Sequence, residues 1–435
     1  MKISARRHIA VAVPSLIALL AVSACSAGSL TNDDESGGAV EITYLVDNSA
    51  ASLELAQAIV DAFNAANPDV KVTVDTRAQG TDGDNAIKTR LATGDMPDVF
   101  FYNSGSLLQA LDPAKNLVDL SGEDWTDGVD DGFKSAASID GKLYGAPGGT
   151  AVGGGVLYNK KIYADLGLSV PTTWDEFMAN SEKIKAAGID PVIQSYGDTW
   201  SSQVVFLADF HNVLSADSDW VEKYDANDPS AKFAVQPALQ GFERLQELHE
   251  SGYVNADFAS MKYDQGVAYL SEGKGAQYPM LTFAIPNLVS LDEANNTNIG
   301  FFGLPGDTAD DGMSLWEPSA IYIPTSTTGD KLEAAKKFIA FAVSSEGCDA
   351  AFAAVPPNGP SVIDECKLPD SVPDAVKDMQ AYVDAGTATP ALEFLSPVKG
   401  PNLEKITVEV GSGIKSAAEG GAAYDKDVET QAQQL

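Results

Sequence analysis

Histidine is nearly missing from this chain, with three in 435 residues. His8 lies at the extreme amino end, and His211 and His249 fall inside stretches that read as helices with ordinary core and surface neighbours. The nucleophile-and-base constellations of acyl transfer therefore lack a poised imidazole. Basic residues are scarce as well: 28 Lys and Arg face 62 Asp and Glu, for a formal net charge of −34. Such a surface repels phosphate backbones, which excludes a nucleic-acid partner. The acidity is no argument for a cationic ligand, because strong net charge commonly serves solubility. Long apolar runs are absent between Val40 and Leu435. The one run present, Ile9 to Val22, is too short for a membrane span.

That run is flanked by Lys2, Arg6 and Arg7 and ends in Val22-Ser23-Ala24-Cys25. It reads as a signal peptide, residues 1–24, whose small residues lead into a cysteine as in a bacterial lipobox. Cys25 is then the lipidated first residue of the mature chain. Residues 25–39 form a flexible tether, rich in Ser, Gly, Asn, Asp and Glu and too polar to offset the entropy of ordering. Losing Lys2, Arg6 and Arg7 takes the formal charge from −34 to −37. Anchored in this way, the protein sits on the outer face of the cytoplasmic membrane. Arg6-Arg7 leaves the export route open between the general secretory and twin-arginine pathways. Two cysteines remain, Cys348 and Cys366, an even pair in an exported chain. A disulfide between them closes a loop of about 18 residues and stabilises by roughly 3 kcal/mol in the chain-entropy model. Two free thiols is the alternative, and metal binding is poorer because no His is near.

From Val40 the pattern alternates. Ile42 to Val46 is an apolar strand, Ser52 caps a helix carrying Leu55, Ile59 and Phe63, and Val70, Val72 and Val74 alternate as a second strand. A helix over Asn85 to Thr93 leads to a third strand, Pro97 to Tyr102. This βαβαβ order implies a mostly parallel sheet flanked by helices, with a ligand crevice at the carboxyl ends of its strands. Helices follow at Trp174 to Ala187, Val235 to Ser251, Asp264 to Glu272 and Lys331 to Ser344, and strands at Ile299 to Leu304 and Ala320 to Ile323.

Several stretches carry a family likeness: Asp140-Gly141-Lys142-Leu143-Tyr144-Gly145-Ala146-Pro147, Val156-Leu157-Tyr158-Asn159-Lys160-Lys161 and Pro171-Thr172-Thr173-Trp174-Asp175-Glu176-Phe177. Leu91 to Val99 and Ala334 to Ile339 agree with them, in the same order. The chain resembles the extracellular solute-binding proteins of the maltose-binding type. The resemblance implies an α/β, two-lobed periplasmic-binding-protein-like fold, each lobe a mostly parallel sheet flanked by helices, joined by crossing segments that bend as a hinge. It places 40–150 plus 306–355 in the amino-terminal lobe and 151–305 plus 356–435 in the carboxyl-terminal lobe. The first crossing falls in Gly148 to Gly155, where glycine tolerates large changes of φ and ψ; the return falls near Leu304-Pro305-Gly306, and a third near Val355-Pro356-Pro357. The glycine run fits neither nucleotide fingerprint.

The resemblance implies a monomeric receptor subunit of an ABC importer, which binds an oligosaccharide and hands it to permease subunits, with no cofactor, no metal and no catalysis. Sugars need flat apolar faces and side chains that pair hydroxyls. Residues of those types stand where the family presents its contacts: Asp47, Asn48, Tyr102, Asn103, Thr150, Trp200, Phe283, Trp316 and Glu317. Asp47, Asn48 and Asn103 could equally cap helices, and the large aromatics could be core. Trp174, opening a helix, is expected to be packing. The competing readings are a binding protein for a polyamine, peptide or chelated metal, and a surface-anchored glycosidase, which needs only two carboxylates.

Overall fold

The computed structural model describes residues 38–309, 312–396 and 402–432; the signal peptide, Cys25 and most of the tether lie outside them. The first sheet grows from β1 (Val40–Asp47), whose nearly continuous apolar run pairs in parallel with β2 (Val70–Arg77) and β3 (Val99–Tyr102). Helix α1 (Ala50–Ala66) joins β1 to β2. Its start is fixed by the Ser49 hydroxyl, which accepts from Ser52 N at 3.2 Å, and it packs Ala56, Ile59, Val60 and Phe63 inward. Helix α2 (Gly80–Thr93) joins β2 to β3 and stops at Gly94, whose φ of 72° suits glycine. The predicted βαβαβ unit is present.

A two-stranded ribbon, β4 (Ser138–Ile139) and β5 (Lys142–Leu143), precedes β6 (Gly145–Pro147). The second sheet is built on β7 (Val152–Asn159). One of its edges pairs with β9 (Gly275–Leu281), beyond which lies β8 (Asp190–Val192). The other edge takes β10 (Ile299–Gly303) and then β11 (Met313–Trp316) end to end, with β13 (Ala388–Pro390) outside β11. Strand β12 (Ala320–Tyr322) returns to the first sheet, which has the order β2-β1-β3-β12-β6. Both sheets are mixed.

The core around the first sheet gathers residues from Ile42 to Ala151 and again from Ala320 to Cys366. The cores around the second take residues from Val156 to Trp316 and from Ala375 to Val428. The return crossing is therefore Glu317 to Ser319, not Leu304 to Gly306. Pro305-Gly306 is a turn held inside the second lobe: Arg244 donates to Pro305 O, Asn212 Nδ2 donates to Leu304 O at 3.1 Å, and Trp174 N donates to Gly306 O at 2.7 Å. The Pro-rich stretch Pro356-Pro357-Asn358-Gly359-Pro360, at the expected third crossing, also differs from expectation. It touches the first crossing, where Ala151 N donates to Pro360 O at 2.9 Å, but the chain then turns back, and Val362, Ile363 and Cys366 join the first core. The final passage lies beyond Cys366, so the boundaries at 306 and 356 both move toward the carboxyl end.

The glycine run also acts differently from a loose hinge. Gly153, Gly154 and Gly155 are paired residues of β7, and a Cβ on Gly154 would sit 2.1 Å from the Trp316 indole. These glycines admit large rings against the sheet, which is a packing requirement. Cys348 and Cys366 are joined in a disulfide with Cα atoms 5.5 Å apart, both buried. Trp174 is buried, stacked on Phe177 at 5.0 Å, with its indole N–H donating to Glu247 at 2.7 Å. Among the described residues no helix is long and apolar enough to cross a membrane.

Candidate functional site

Parallel strands present their carboxyl ends on one rim, and the loops there carry the first group of residues. Asp47 ends β1, accepting from Ser49 N at 2.9 Å and from the Ser52 hydroxyl at 2.7 Å, so one carboxylate both braces the Ser49 cap of α1 and marks the rim. Asn48 beside it is exposed. Arg77, the register partner of Asp47, ends β2. Its Nη1 donates to Ala78 O at 3.0 Å, and its guanidinium carbon lies 5.6 Å from the Tyr102 ring centre. Tyr102 itself is fully buried, and burial followed by the Asp84 carboxylate pushes its hydroxyl well above the usual tyrosine range. It supports the rim from beneath. Asn103, one residue on, is exposed; its Oδ1 accepts from the Ser319 hydroxyl at 3.4 Å and its backbone O from the Tyr322 hydroxyl at 3.0 Å.

The crossings contribute Thr150 and Glu317. Thr150 is buried, and its hydroxyl donates to Asn358 Oδ1 at 2.6 Å, joining the first crossing to the Pro-rich stretch. Glu317 is 8% exposed, its Oε2 meets no hydrogen-bond partner, and burial followed by the Asp130 carboxylate pushes it up to about 7. A buried acid without a partner holds its proton, because charge is far more costly than a neutral carboxyl in such surroundings.

The second lobe brings together three half-buried rings. Trp200 lies 5.4 Å from Tyr263 and 5.7 Å from Phe283, and Tyr263 lies 5.6 Å from Phe283. Tyr263 is held by its own N–H, which donates to Asp198 Oδ2 at 2.8 Å, and by Asn287 Nδ2, which donates to its hydroxyl at 2.8 Å. Trp316 is not among them. It is 8% exposed, packed over Gly154 in the second core, and β11 belongs to the same sheet as β8 and β9. The expected range 306–355 for the amino-terminal lobe included Trp316, and this placement puts it in the second lobe instead.

Sequence reasoning missed Arg77, Tyr263 and Asn358. Arg77 had a signal, since it ends a strand as Asp47 and Tyr102 do. Tyr263 had none, because only the fold carries its helix to Trp200. Among the described residues no cluster of three or more His, Cys, Asp or Glu side chains is placed to hold a metal. What the rim and rings offer is amide, carboxylate and guanidinium groups on one lobe and apolar faces on the other.

Comparison with known proteins bears on these groups. Residues 48–347 match the family described as bacterial extracellular solute-binding protein. A multiple sugar-binding protein of Streptococcus mutans is 24% identical over 330 residues, covering 74% of each chain. The melibiose/raffinose/stachyose-binding protein MelE of Bacillus subtilis is 23% identical over 272 residues, 62% of this chain and 61% of that one. Among solved structures, a chitin oligosaccharide binding protein superposes with a TM-score of 0.77 at 24% identity, over 91% of this chain and 99% of the other. RafE in complex with raffinose gives 0.73 at 23% identity, over 88% and 98%. These structural likenesses establish the fold.

Proposed function

Because this chain belongs to the bacterial extracellular solute-binding protein family, we propose that it is the receptor subunit of an ABC importer and that its solute is an oligosaccharide. The observation that carries the sugar reading is the half-buried group Trp200, Tyr263 and Phe283. Its ring faces suit the C–H surface of a pyranose, while Asp47, Asn48, Arg77 and Asn103 on the first lobe suit hydroxyls. Relatives named for multiple sugars, melibiose, raffinose and stachyose support the same class. Tyr102 and Trp316 act beneath the site as packing, and Thr150 as a brace between crossings.

The protein binds and releases its solute without transforming it, as a monomer that delivers the sugar to permease subunits. Cys25 carries the lipid, and the disulfide is present in the exported chain. Calorimetric titration with raffinose, stachyose and chitin oligosaccharides tests the reading. Binding of at least one is expected, and Trp200→Ala should weaken it by roughly tenfold to a hundredfold, from loss of about 1 to 3 kcal/mol of ring contact. Binding of peptides or polyamines in place of every sugar, or hydrolysis of a sugar at catalytic turnover, would overturn it.

A further inference from the structure

We propose that Glu317 is the proton-sensing pivot of the hinge, setting the angle between the lobes according to whether its carboxyl is neutral or ionised. The residue before it is fixed to the second lobe, since Trp316 pairs with Val152 on β7 and lies over Gly154. The residue after it is fixed to the first lobe, since Pro318 O accepts from the buried Ser104 hydroxyl at 2.9 Å and Ser319 O accepts from Gly148 N at 2.9 Å. Any rotation between lobes along this strand is concentrated at Glu317. Its side chain is folded against the first lobe, so close to Gly132 that a Cβ there would sit 2.5 Å from Oε1. The carboxyl is 8% exposed and Oε2 has no partner.

The charges around it do not favour ionisation. Asp130, which starts the helix Asp131–Ala136, is the charge that acts on it; Asp131 is already paired with Lys134 at 3.0 Å. Trp316 and Pro318, on either side of it, carry no charge. Burial and Asp130 together hold the proton until about pH 7. Below that the neutral carboxyl stays on Gly132 and the observed lobe arrangement is favoured. Above it, the ionised carboxylate is stabilised by water only if the pivot turns away from Gly132, which opens the lobes. Linkage between an exposed glutamate and one titrating near 7 shifts the balance toward the open form by roughly thirtyfold between about pH 5.5 and about pH 8.5.

The inference needs the two-lobed hinge but no particular solute, so its test uses the ligand-free full chain. Small-angle X-ray scattering should show the radius of gyration rising across that pH range with a midpoint near 7. Glu317→Gln, neutral at every pH, should abolish the rise. Asp130→Asn, which removes the repelling charge, should move the midpoint to lower pH, and it keeps the test decisive if the Gln variant folds poorly. A radius that does not change in the parent protein, a Gln variant that follows the parent, or an Asp130→Asn midpoint that stays in place would each overturn the proposal.

Discussion

Trp316 and Gly154 form a matched pair, the indole filling the space that a Cβ would take. Trp316→Ala should cost about 3 to 5 kcal/mol as a large buried ring is lost. Gly154→Ala should cost about 1 to 3 kcal/mol by overpacking. Urea unfolding of both single variants and the double variant reads the coupling: the added methyl should cost much less once the indole is gone, and simple additivity would show that the two do not compete for space. The buried pair Arg244 and Asp209, 3.0 Å apart with the guanidinium 4.8 Å from the Trp174 ring, makes a different case. Asp209→Ala leaves a buried cation without its counter-charge and should lower stability by about 3 to 5 kcal/mol, measured in the same way. An unchanged unfolding midpoint would mean that Asp307, 3.6 Å from Arg244, takes over the pairing. Single residues were legible where position along a strand decides their place, as with Asp47 and Asn103. Trp316 stands where the resemblance implies a ligand contact, and that its indole instead fills the space over Gly154 is visible only in the fold. Tyr263 was invisible because its partners are distant in sequence.

The elements were the most legible level. Alternating apolar strands and capped helices gave the βαβαβ unit, and Gly94 ended its second helix as glycine in a left-handed conformation does. Partner choice was not legible, because periodicity records which face is buried and not which strand lies alongside. So β12 could be drawn from its sequence but not inserted between β3 and β6, and β11 could not be assigned to the second sheet. The two cysteines illustrate both sides. Their pairing followed from count and compartment, whereas their burial in the first core places the loop they close in the first lobe. Reducing the bond should lower stability by about 3 kcal/mol, given the separation of 18 residues. Denaturant titration with and without reductant checks this, and equal midpoints would show that the loop is held by its packing alone.

For the whole molecule the dominant sequence feature is the formal charge of −34. Self-repulsion of that size opposes a compact state and is relieved by screening. Raising salt from about 0.01 M to about 0.15 M shortens the screening length from about 30 Å to about 8 Å and should raise the thermal midpoint. A midpoint that falls would mean that the surface ion pairs outweigh the excess of like charge. Chain order has a further consequence through β12. As the polypeptide is made from its amino end, β3 and β6 both exist long before Ala320 to Tyr322, the strand that must lie between them. Until then the edge of β3 is an unpaired ladder of N–H and C=O groups, open to strands of neighbouring nascent chains. Completion of the first sheet is thus a late, long-range and slow event, and any product cut short before Ala320 keeps that adhesive edge for good.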